Sequence, residues 1–274
     1  MYLIYLIILI LLINTIIIIF DNRSNYYSYY KAEKYIKRNN NIMVEDIVEE
    51  NFVPKKIIQT YKNIDLVPEK IIDNIKEKNP NWEYNFYSDN DCIKFLNENY
   101  GKEVVDKFNS FKKGAHKSDL FRLCWLYKNG GVYIDIDTEL ITPLNDILVN
   151  IDNNFTFMQN TLRGGYYEYY LNKVFGYTQN TLINSFIITN KGNKNIKKCI
   201  ESIMKINQED LENNYGLILF VMQKTFNGDI VYQLFEKESR PMNMFGGKYA
   251  IYDKNNKLIG YSKYDNYSEG KFLY

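Results

Sequence analysis

Cysteine, histidine, proline and glycine are all scarce in this sequence. Its 274 residues include 3 cysteines, 1 histidine, 5 prolines and 14 glycines. The cysteines, Cys92, Cys124 and Cys199, are odd in number and far apart, which excludes a disulfide framework and a cysteine-rich metal cluster. Cys124 falls within an apolar helical pattern, so we expect it to be buried and inert. Ile, Asn, Lys and Tyr are used heavily instead, which is typical of an AT-rich genome such as that of a giant virus or a protist.

An excess of charge of either sign is also missing. The 34 basic and 33 acidic residues leave a net charge of +1, and no basic run stands out. This balance gives no reason to expect a nucleic acid as a partner. Hydrophobic residues at 46% and charged residues at 24% are ordinary proportions for a folded protein.

A long apolar run is present at the N-terminus. Residues 3–20 are almost all Ile and Leu, interrupted by Tyr5 and by the pair Asn14–Thr15. Eighteen helical residues span roughly 27 Å, close to the hydrocarbon thickness of a bilayer. A cleaved signal peptide is the alternative, but the run is too long, no basic region precedes it and no small-residue cleavage site follows. We therefore predict a single-pass membrane protein with an anchor over residues 1–20.

The remaining chain divides into a stem and one folded domain. Residues 21–50 are polar and rich in Asn, Tyr and Lys, which is typical of a stem or linker. Residues 51–274 carry the patterns of a folded domain. Within it, a strand is predicted over 52–61 and another over 82–87, each followed by an amphipathic helix.

The best-defined pattern is a helix followed by a strand at residues 118–137. Ser118 suits the N-cap of the helix, and Gly130–Gly131 end it in the left-handed conformation that glycine favours. The strand then runs through Asp137. This alternation of strands and helices predicts an α/β fold with a mostly parallel central sheet.

The end of that strand carries two closely spaced carboxylates. Side chains at i and i+2 share one face of a strand, so we expect Tyr133, Asp135 and Asp137 to lie together. Carboxylates about 7 Å apart repel each other unless a cation lies between or beside them. Their hard oxygen atoms select Mg²⁺ or Mn²⁺, which keep coordination sites free for substrate phosphates. A solvated acidic turn is the alternative for an isolated D-x-D.

Two charged residues on the preceding helix add context. Asp119 and Arg122 are spaced i and i+3, so they can form a surface salt bridge. Beside a cation and a diphosphate they would instead bind the ligand, because an Arg fork recognises phosphate and Asp119 can accept hydrogen bonds from a sugar.

These segments together resemble glycosyltransferase family 32. The residues 117–122 (KSDLFR) and 126–137 (LYKNGGVYIDID) are similar to the D-x-x-R and G-G-x-Y-x-D-x-D strings of that family. It is the "glycosyltransferase sugar-binding region containing DXD motif" family, and it includes fungal initiating α-1,6-mannosyltransferases. Residues 53–61, 79–84 and 184–187 are similar to further segments of it.

The resemblance implies a fold, an activity and a set of site residues. The fold would be a GT-A-type Rossmann-like sandwich. The activity would be metal-dependent transfer, with retention, of a hexosyl or N-acetylhexosaminyl group from a UDP- or GDP-sugar to a glycan or glycoprotein. The implied roles are catalytic for Asp119, Arg122 and Asp137; donor-binding for Tyr61, Asp119, Arg122, Tyr133 and Asp135; and metal-binding, with Mn²⁺ or Mg²⁺, for Asp135 and Asp137. Tyr61, where the family commonly has Trp, would stack on the base.

The sequence departs from the family near its C-terminus. Its single histidine, His116, is predicted to be a surface residue, and the family's C-terminal histidine is missing. Residues 264–268 stand in that place, so the third metal ligand would be Asp265, Asn266 or Ser268. This departure leaves open a degenerate, non-catalytic nucleotide-sugar-binding protein. A metal-dependent hydrolase or nucleotidyltransferase is a third alternative.

The membrane orientation is left open by two opposing arguments. The flank after the apolar run is basic, with Arg23, Lys31, Lys34, Lys37 and Arg38, and the positive-inside rule would put the domain in the cytosol. Glycosyltransferases of the secretory pathway usually face the lumen. We expect either an ER or Golgi membrane or a viral-factory membrane.

Overall fold

The computed structural model describes residues 12, 30–38, 44–149, 155–160, 181–214, 216–226, 232–238, 249–252 and 257–262. Their strands are β1 (Lys56–Thr60), β2 (Glu83–Tyr87), β3 (Gly131–Ile134), β4 (Thr138–Leu140), β5 (Phe155–Asn160), β6 (Thr181–Thr189), β7 (Tyr232–Glu238), β8 (Tyr249–Tyr252) and β9 (Leu258–Ser262). Their helices are α1 (residues 30–37), α2 (Glu69–Lys78), α3 (Asp89–Tyr100), α4 (Lys102–Ser110), α5 (Gly114–Asn129), α6 (Leu144–Leu148), α7 (Lys194–Met204), α8 (Gln208–Asn213) and α9 (Leu217–Thr225).

One end of the sheet is parallel, as the sequence predicts. β1 lies between β2 and β3 and runs parallel to both, with Lys56 opposite Glu83 and Ile57 opposite Val132. Helices connect these strands, since parallel neighbours need a crossover. The helix after β2 begins with a capping box between Ser88 and Asp91. The predicted order of strands and helices over residues 52–100 is therefore confirmed.

The rest of the sheet is mixed. The described strands follow the order β2-β1-β3-β6-β5-β7-β8-β9-β4. Six of these nine strands run in one direction, yet only three of the eight pairings are parallel. The predicted α/β class is confirmed. Most of the strands run in the same direction, as a mostly parallel sheet requires. Most neighbouring pairs are nevertheless antiparallel, because β6, β8 and β4 run in the opposite direction.

Two apolar cores lie on opposite faces of the sheet. Successive strand residues alternate between faces, so Tyr133 and Ile187 join the core around α5, while Ile134 and Phe186 join the other. Cys124 lies in the first core, where burial raises the pKa of its thiol, so the prediction that it is buried is confirmed. Because α5 is covered on nearly every side, its polar residues need partners within the protein.

The described parts of the predicted stem pack on the domain. Ala32 and Tyr35 of α1 are buried, and Lys31 pairs with Asp210 of α8. Farther along, the Glu50 N–H donates to the Lys191 carbonyl oxygen at 3.0 Å. The division of the chain at residue 50 stays a prediction.

The predicted membrane anchor, residues 1–20, lies outside the described residues except for Leu12, which is helical. Within the described part of the chain, no helix combines the length and the apolar character that a membrane span needs.

Candidate active site

The carboxyl ends of β1, β2 and β3 meet at one edge of the sheet. Thr60 lies opposite Tyr87, and Ile58 lies opposite Tyr133. The chain leaves β1 at Tyr61 and β3 at Asp135, so the predicted base platform and the D-x-D lie at the same edge. Ligands of open α/β sheets bind at such carboxyl edges.

The D-x-D occupies a turn rather than a strand. β3 ends at Ile134, and the Thr138 N–H donates to the Asp135 carbonyl oxygen at 3.0 Å. The prediction that the strand runs through Asp137 was therefore wrong, and so was its argument that i and i+2 carboxylates share a strand face. The physical reason is the pairing that follows. Residues Thr138–Leu140 form β4, which pairs with β9 at the far edge of the sheet, so the chain must turn away from β3.

The start of α5 also differs from the prediction. The helix begins at Gly114, so Ser118 lies inside it and the predicted N-cap at Ser118 was wrong. The Ser118 hydroxyl instead accepts from Arg122 Nη2 at 2.9 Å and lies 3.2 Å from the Tyr133 hydroxyl. His116 is 5% exposed and packs edge-on against Phe111, so its predicted surface location was wrong too.

Arg122 is the centre of a buried polar cluster. Its Nη1 lies 3.3 Å from Asp135 Oδ1 and its Nη2 lies 3.4 Å from Asp119 Oδ1. Its guanidinium carbon is 4.1 Å from the centre of the Tyr133 ring. The structure thus brings four of the predicted site residues, Asp119, Arg122, Tyr133 and Asp135, into direct contact.

The guanidinium is held by hydrogen bonds as well as by charge. Arg122 Nε donates to the Ser118 carbonyl oxygen at 3.2 Å, and Nη1 donates to the Asn184 carbonyl oxygen at 2.5 Å. The side chain is only 5% exposed. Arg122 is therefore fixed in place between α5, β3 and β6, where it orients two carboxylates.

Tyr133 connects the cluster to the D-x-D turn. Its hydroxyl donates to Asp135 Oδ1 at 2.5 Å. Burial raises the pKa of Tyr133 well above its usual value, Asp135 adds to the rise and Arg122 opposes it. The phenol therefore stays protonated and serves as a hydrogen-bond donor to Asp135.

Asp119 is a carboxyl group whose charged form is disfavoured by burial. Burial raises its pKa, and the nearby Arg122 and His116 side chains oppose the rise without cancelling it. Asn184 Nδ2 also donates to Asp119 Oδ1 at 2.5 Å. Carboxyl groups with raised pKa values cluster at functional sites, since burial there is imposed by the ligand-binding geometry.

Asn184 and Ser118 are site residues that the sequence reasoning missed. Asn184 begins the segment 184–187 that resembles the family, and this polar residue precedes the buried run Phe186–Ile188. A polar residue at the edge of an apolar strand was the available signal. Nothing in the local pattern around Ser118 could have separated this role from helix capping.

The D-x-D turn and the residues next to it carry oxygen atoms that suit a hard cation. Asp137 is 6% exposed. Among the residues that the structure describes, the buried hydroxyls of Thr138 and Ser185 have no hydrogen-bond partner. Ser185 adjoins the turn, because its carbonyl oxygen accepts from the Asp135 N–H at 2.7 Å. Carboxylate and hydroxyl oxygens are a donor set for Mg²⁺ or Mn²⁺, so the residues present fit such an ion.

The described residues supply only part of a coordination sphere. Within them, no three His, Cys, Asp or Glu side chains lie close enough together to hold a metal ion. Asp265, Asn266 and Ser268, predicted as the third ligand, lie outside the described residues. A cation held by two carboxylates keeps other coordination positions open for substrate phosphates.

Tyr61 lies beside the turn on an apolar base. Its half-buried ring packs against the cluster of Val67, Ile71 and Ile136, the last being the middle residue of the D-x-D. The Lys62 ammonium lies 5.8 Å from the centre of the ring. The predicted stacking of Tyr61 on a base stays a prediction, and the ring is at the right edge of the sheet for it.

The sequence of the chain is similar to those of known glycosyltransferases. Residues 66–154 match the family described as "Glycosyltransferase sugar-binding region containing DXD motif". The chain is 26% identical to the uncharacterized glycosyltransferase L373 of Acanthamoeba polyphaga mimivirus, over 80% of this chain and 83% of that one. It is 28% identical to inositol phosphoceramide mannosyltransferase 1 of Schizosaccharomyces pombe, over 35% of this chain and 31% of the relative.

Two further similarities extend the comparison. The chain is 30% identical to the initiation-specific alpha-1,6-mannosyltransferase of Candida albicans, over 35% of this chain and 27% of the relative. The match thus spans less than a third of each fungal relative. The solved structure of PaToxG glycosyltransferase superposes with a TM-score of 0.43 at 17% identity, over 76% of both chains.

The family match and the relatives identify the chain as a glycosyltransferase. Its resemblance is to glycosyltransferase family 32, through the segment that contains the D-x-x-R and D-x-D strings. The resemblance predicted from those strings is confirmed.

Proposed function

We propose that this glycosyltransferase is metal-dependent and transfers a hexosyl or N-acetylhexosaminyl group from a UDP- or GDP-sugar to a glycan or glycoprotein, with retention. One observation carries the proposal. At the carboxyl edge of β1–β3, Asp119 and Asp135 both lie against Arg122, and Asp137 follows two residues later in the same turn, so carboxylates outnumber the guanidinium. A divalent cation with a diphosphate would balance that charge.

The residues of the site divide the work between them. Asp137 and Asp135 would hold the cation, Arg122 and Tyr133 would fix Asp135, and Asn184 would fix Asp119 to accept hydrogen bonds from the donor. When bound there, Mn²⁺ or Mg²⁺ would supply the positive charge that stabilises the leaving nucleotide. Tyr61 would carry the base.

The fold and the membrane arrangement form part of the same proposal. The parallel strands β2-β1-β3 with the D-x-D at their carboxyl edge support a GT-A-type Rossmann-like domain. The apolar run in residues 1–20 supports a single-pass anchor in an ER, Golgi or viral-factory membrane. Recovery of the full-length chain in the membrane fraction, released only by detergent, is the expected result. Recovery without detergent would contradict the anchor.

A ligand screen followed by thermal unfolding tests the proposed activity. UDP-sugars and GDP-sugars are added to the protein with Mn²⁺, with Mg²⁺ or with EDTA. A ligand at 100 times its Kd stabilises the folded state by about 2.7 kcal/mol. We expect one nucleotide class to raise the unfolding temperature with a divalent cation and not with EDTA. Asp137→Asn should remove that rise.

The same screen separates the alternatives when product release is measured in parallel. Ligand-induced stabilisation with no turnover on any acceptor would support the degenerate binding protein that the missing C-terminal histidine suggests. Turnover of nucleotides that carry no sugar would support the hydrolase or nucleotidyltransferase. Equal stabilisation in Mn²⁺ and in EDTA would contradict the metal-dependent mechanism.

A further inference from the structure

Gln59 is a polar residue in an unusual place. It lies on β1, one position before the end of the strand, and has no exposed surface. By strand alternation it shares a face with Ile57, which belongs to an apolar core. An apolar residue would suit this position better, because burying an amide costs free energy unless its hydrogen bonds are replaced.

Both ends of the Gln59 amide have partners. Nε2 donates to the Asp135 carbonyl oxygen at 3.3 Å, and Oε1 accepts from the Tyr84 hydroxyl at 2.8 Å. Burial raises the pKa of Tyr84, so its hydroxyl remains a donor. The side chain therefore connects β2 to the first residue of the D-x-D turn.

The contact lies where the sheet stops supporting that turn. The pairing of β1 with β3 ends at Ile58 and Tyr133, and β3 itself ends at Ile134. On the other side, β6 still holds the Asp135 N–H through the Ser185 carbonyl oxygen. The Gln59 side chain takes the place of the backbone hydrogen bonds that β1 no longer makes.

We propose that Gln59 is a positioning residue that sets the location of the D-x-D turn and thereby the geometry of its carboxylates. The inference rests on the proposed function, in which Asp135 and Asp137 hold a divalent cation. Groups that orient metal ligands from outside the coordination sphere commonly change metal affinity by about 10- to 100-fold when they are removed. Gln59 does so through the backbone of Asp135.

The test compares Gln59→Leu with two matched variants. Ile58→Val alters the neighbouring buried residue on β1, which faces the other core, without touching Asp135. Tyr84→Phe removes the hydrogen bond to Oε1 and leaves the contact with Asp135. The first measurement is the Kd for Mn²⁺ in the presence of a nucleoside diphosphate, and the second is amide hydrogen exchange over residues 135–138 without metal.

We expect Gln59→Leu to raise the Mn²⁺ Kd about 10- to 100-fold and to speed exchange over residues 135–138. Tyr84→Phe should shift both values less, and Ile58→Val should shift neither. Unchanged exchange in Gln59→Leu would overturn the positioning role, whatever the metal affinity. Faster exchange in a protein that never binds Mn²⁺ would instead contradict the proposed function and leave the role of Gln59 in the turn supported.

Discussion

Two polar clusters in this molecule are built from the same kinds of side chain and differ in character. In the first, which we call the α1 cluster, the Tyr35 hydroxyl and the Lys31 ammonium both contact Asp210. In the second, the Tyr133 hydroxyl and the Arg122 guanidinium both contact Asp135. We call it the D-x-D cluster, and it consists of Asp119, Arg122, Tyr133, Asp135 and Asp137. Each combines a tyrosine, at least one aspartate and one basic side chain.

The two clusters differ in charge balance. In the α1 cluster, the one carboxylate, that of Asp210, pairs with the ammonium group of Lys31. Burial raises the pKa of Asp210, but the hydrogen bonds from Lys31 and Tyr35 outweigh burial and the pKa is lowered. In the D-x-D cluster Asp119 and Asp135 share Arg122, Asp137 adds a third carboxylate to the same turn, and the pKa of Asp119 is raised. A cluster with equal numbers of carboxylates and basic side chains stabilises the fold. A cluster with excess carboxylates leaves negative charge that a positively charged ligand can neutralise.

The largest expected effect on stability comes from the α1 cluster. Tyr35 is 1% exposed, and Tyr35→Ala should lower the free energy of unfolding by about 3–5 kcal/mol, as expected for removing a buried aromatic ring. Urea denaturation measures the change. Tyr30→Ala is the control, because that ring is 59% exposed and its loss should change stability little. Equal effects of the two variants would mean that α1 does not pack on the domain.

A smaller effect, on binding alone, is expected from Tyr61→Ala. An aromatic platform contributes about 1–3 kcal/mol per stacked base, so the nucleotide Kd should rise by that free energy while the Mn²⁺ Kd stays unchanged. Titration calorimetry measures both. Tyr61→Trp should keep or strengthen nucleotide binding. Unaltered nucleotide affinity in Tyr61→Ala would remove the stacking role.

The smallest effect is a difference in pH dependence between the clusters. Asp210 has a lowered folded pKa, so its stabilisation is present above the unfolded pKa of about 3.9 and is lost as the pH falls through the folded pKa. Asp119 has a raised folded pKa, so its ionisation destabilises the fold as the pH rises from about 3.9 through the folded pKa.

Unfolding experiments at a series of pH values should therefore give opposite signs. At neutral pH, Asp210→Asn should be less stable than the wild type by about 1 kcal/mol, and Asp119→Asn should be equally stable or slightly more stable. Both differences should shrink at acidic pH, where the aspartates of the wild type are protonated. Destabilisation by both variants at neutral pH would break the distinction between the clusters.

Local sequence patterns predicted the parts of this structure that depend on near neighbours. α5 ends at Asn129, and Gly130 and Gly131 follow with φ values of 66° and 106°. A Cβ on Gly131 would lie 2.4 Å from the Lys56 carbonyl oxygen, so only glycine fits there. The same local reasoning predicted β1, α2, β2 and α3, and the string around Asp135 predicted the resemblance to the family.

The features that sequence reasoning missed depend on contacts between distant segments. Tyr35 and Asp210 are 175 positions apart, and residues 21–50 alone offered no sign of that packing. The D-x-D turn exists because Thr138–Leu140 pair with β9, a strand more than 100 residues later. Periodicity reports the face that an element buries and not the strand it pairs with, so both features required the fold.

The release of nucleoside diphosphate from the best-binding nucleotide-sugar is the sharpest test of metal-dependent transfer at the D-x-D. It is measured for the wild type, for Asp137→Asn and for Asp210→Asn, each with Mn²⁺ and with EDTA. We expect release by the wild type in Mn²⁺ only, a loss of at least about 100-fold in Asp137→Asn with folding intact, and activity in the folded fraction of Asp210→Asn. Release that survives both Asp137→Asn and EDTA would contradict metal-dependent transfer.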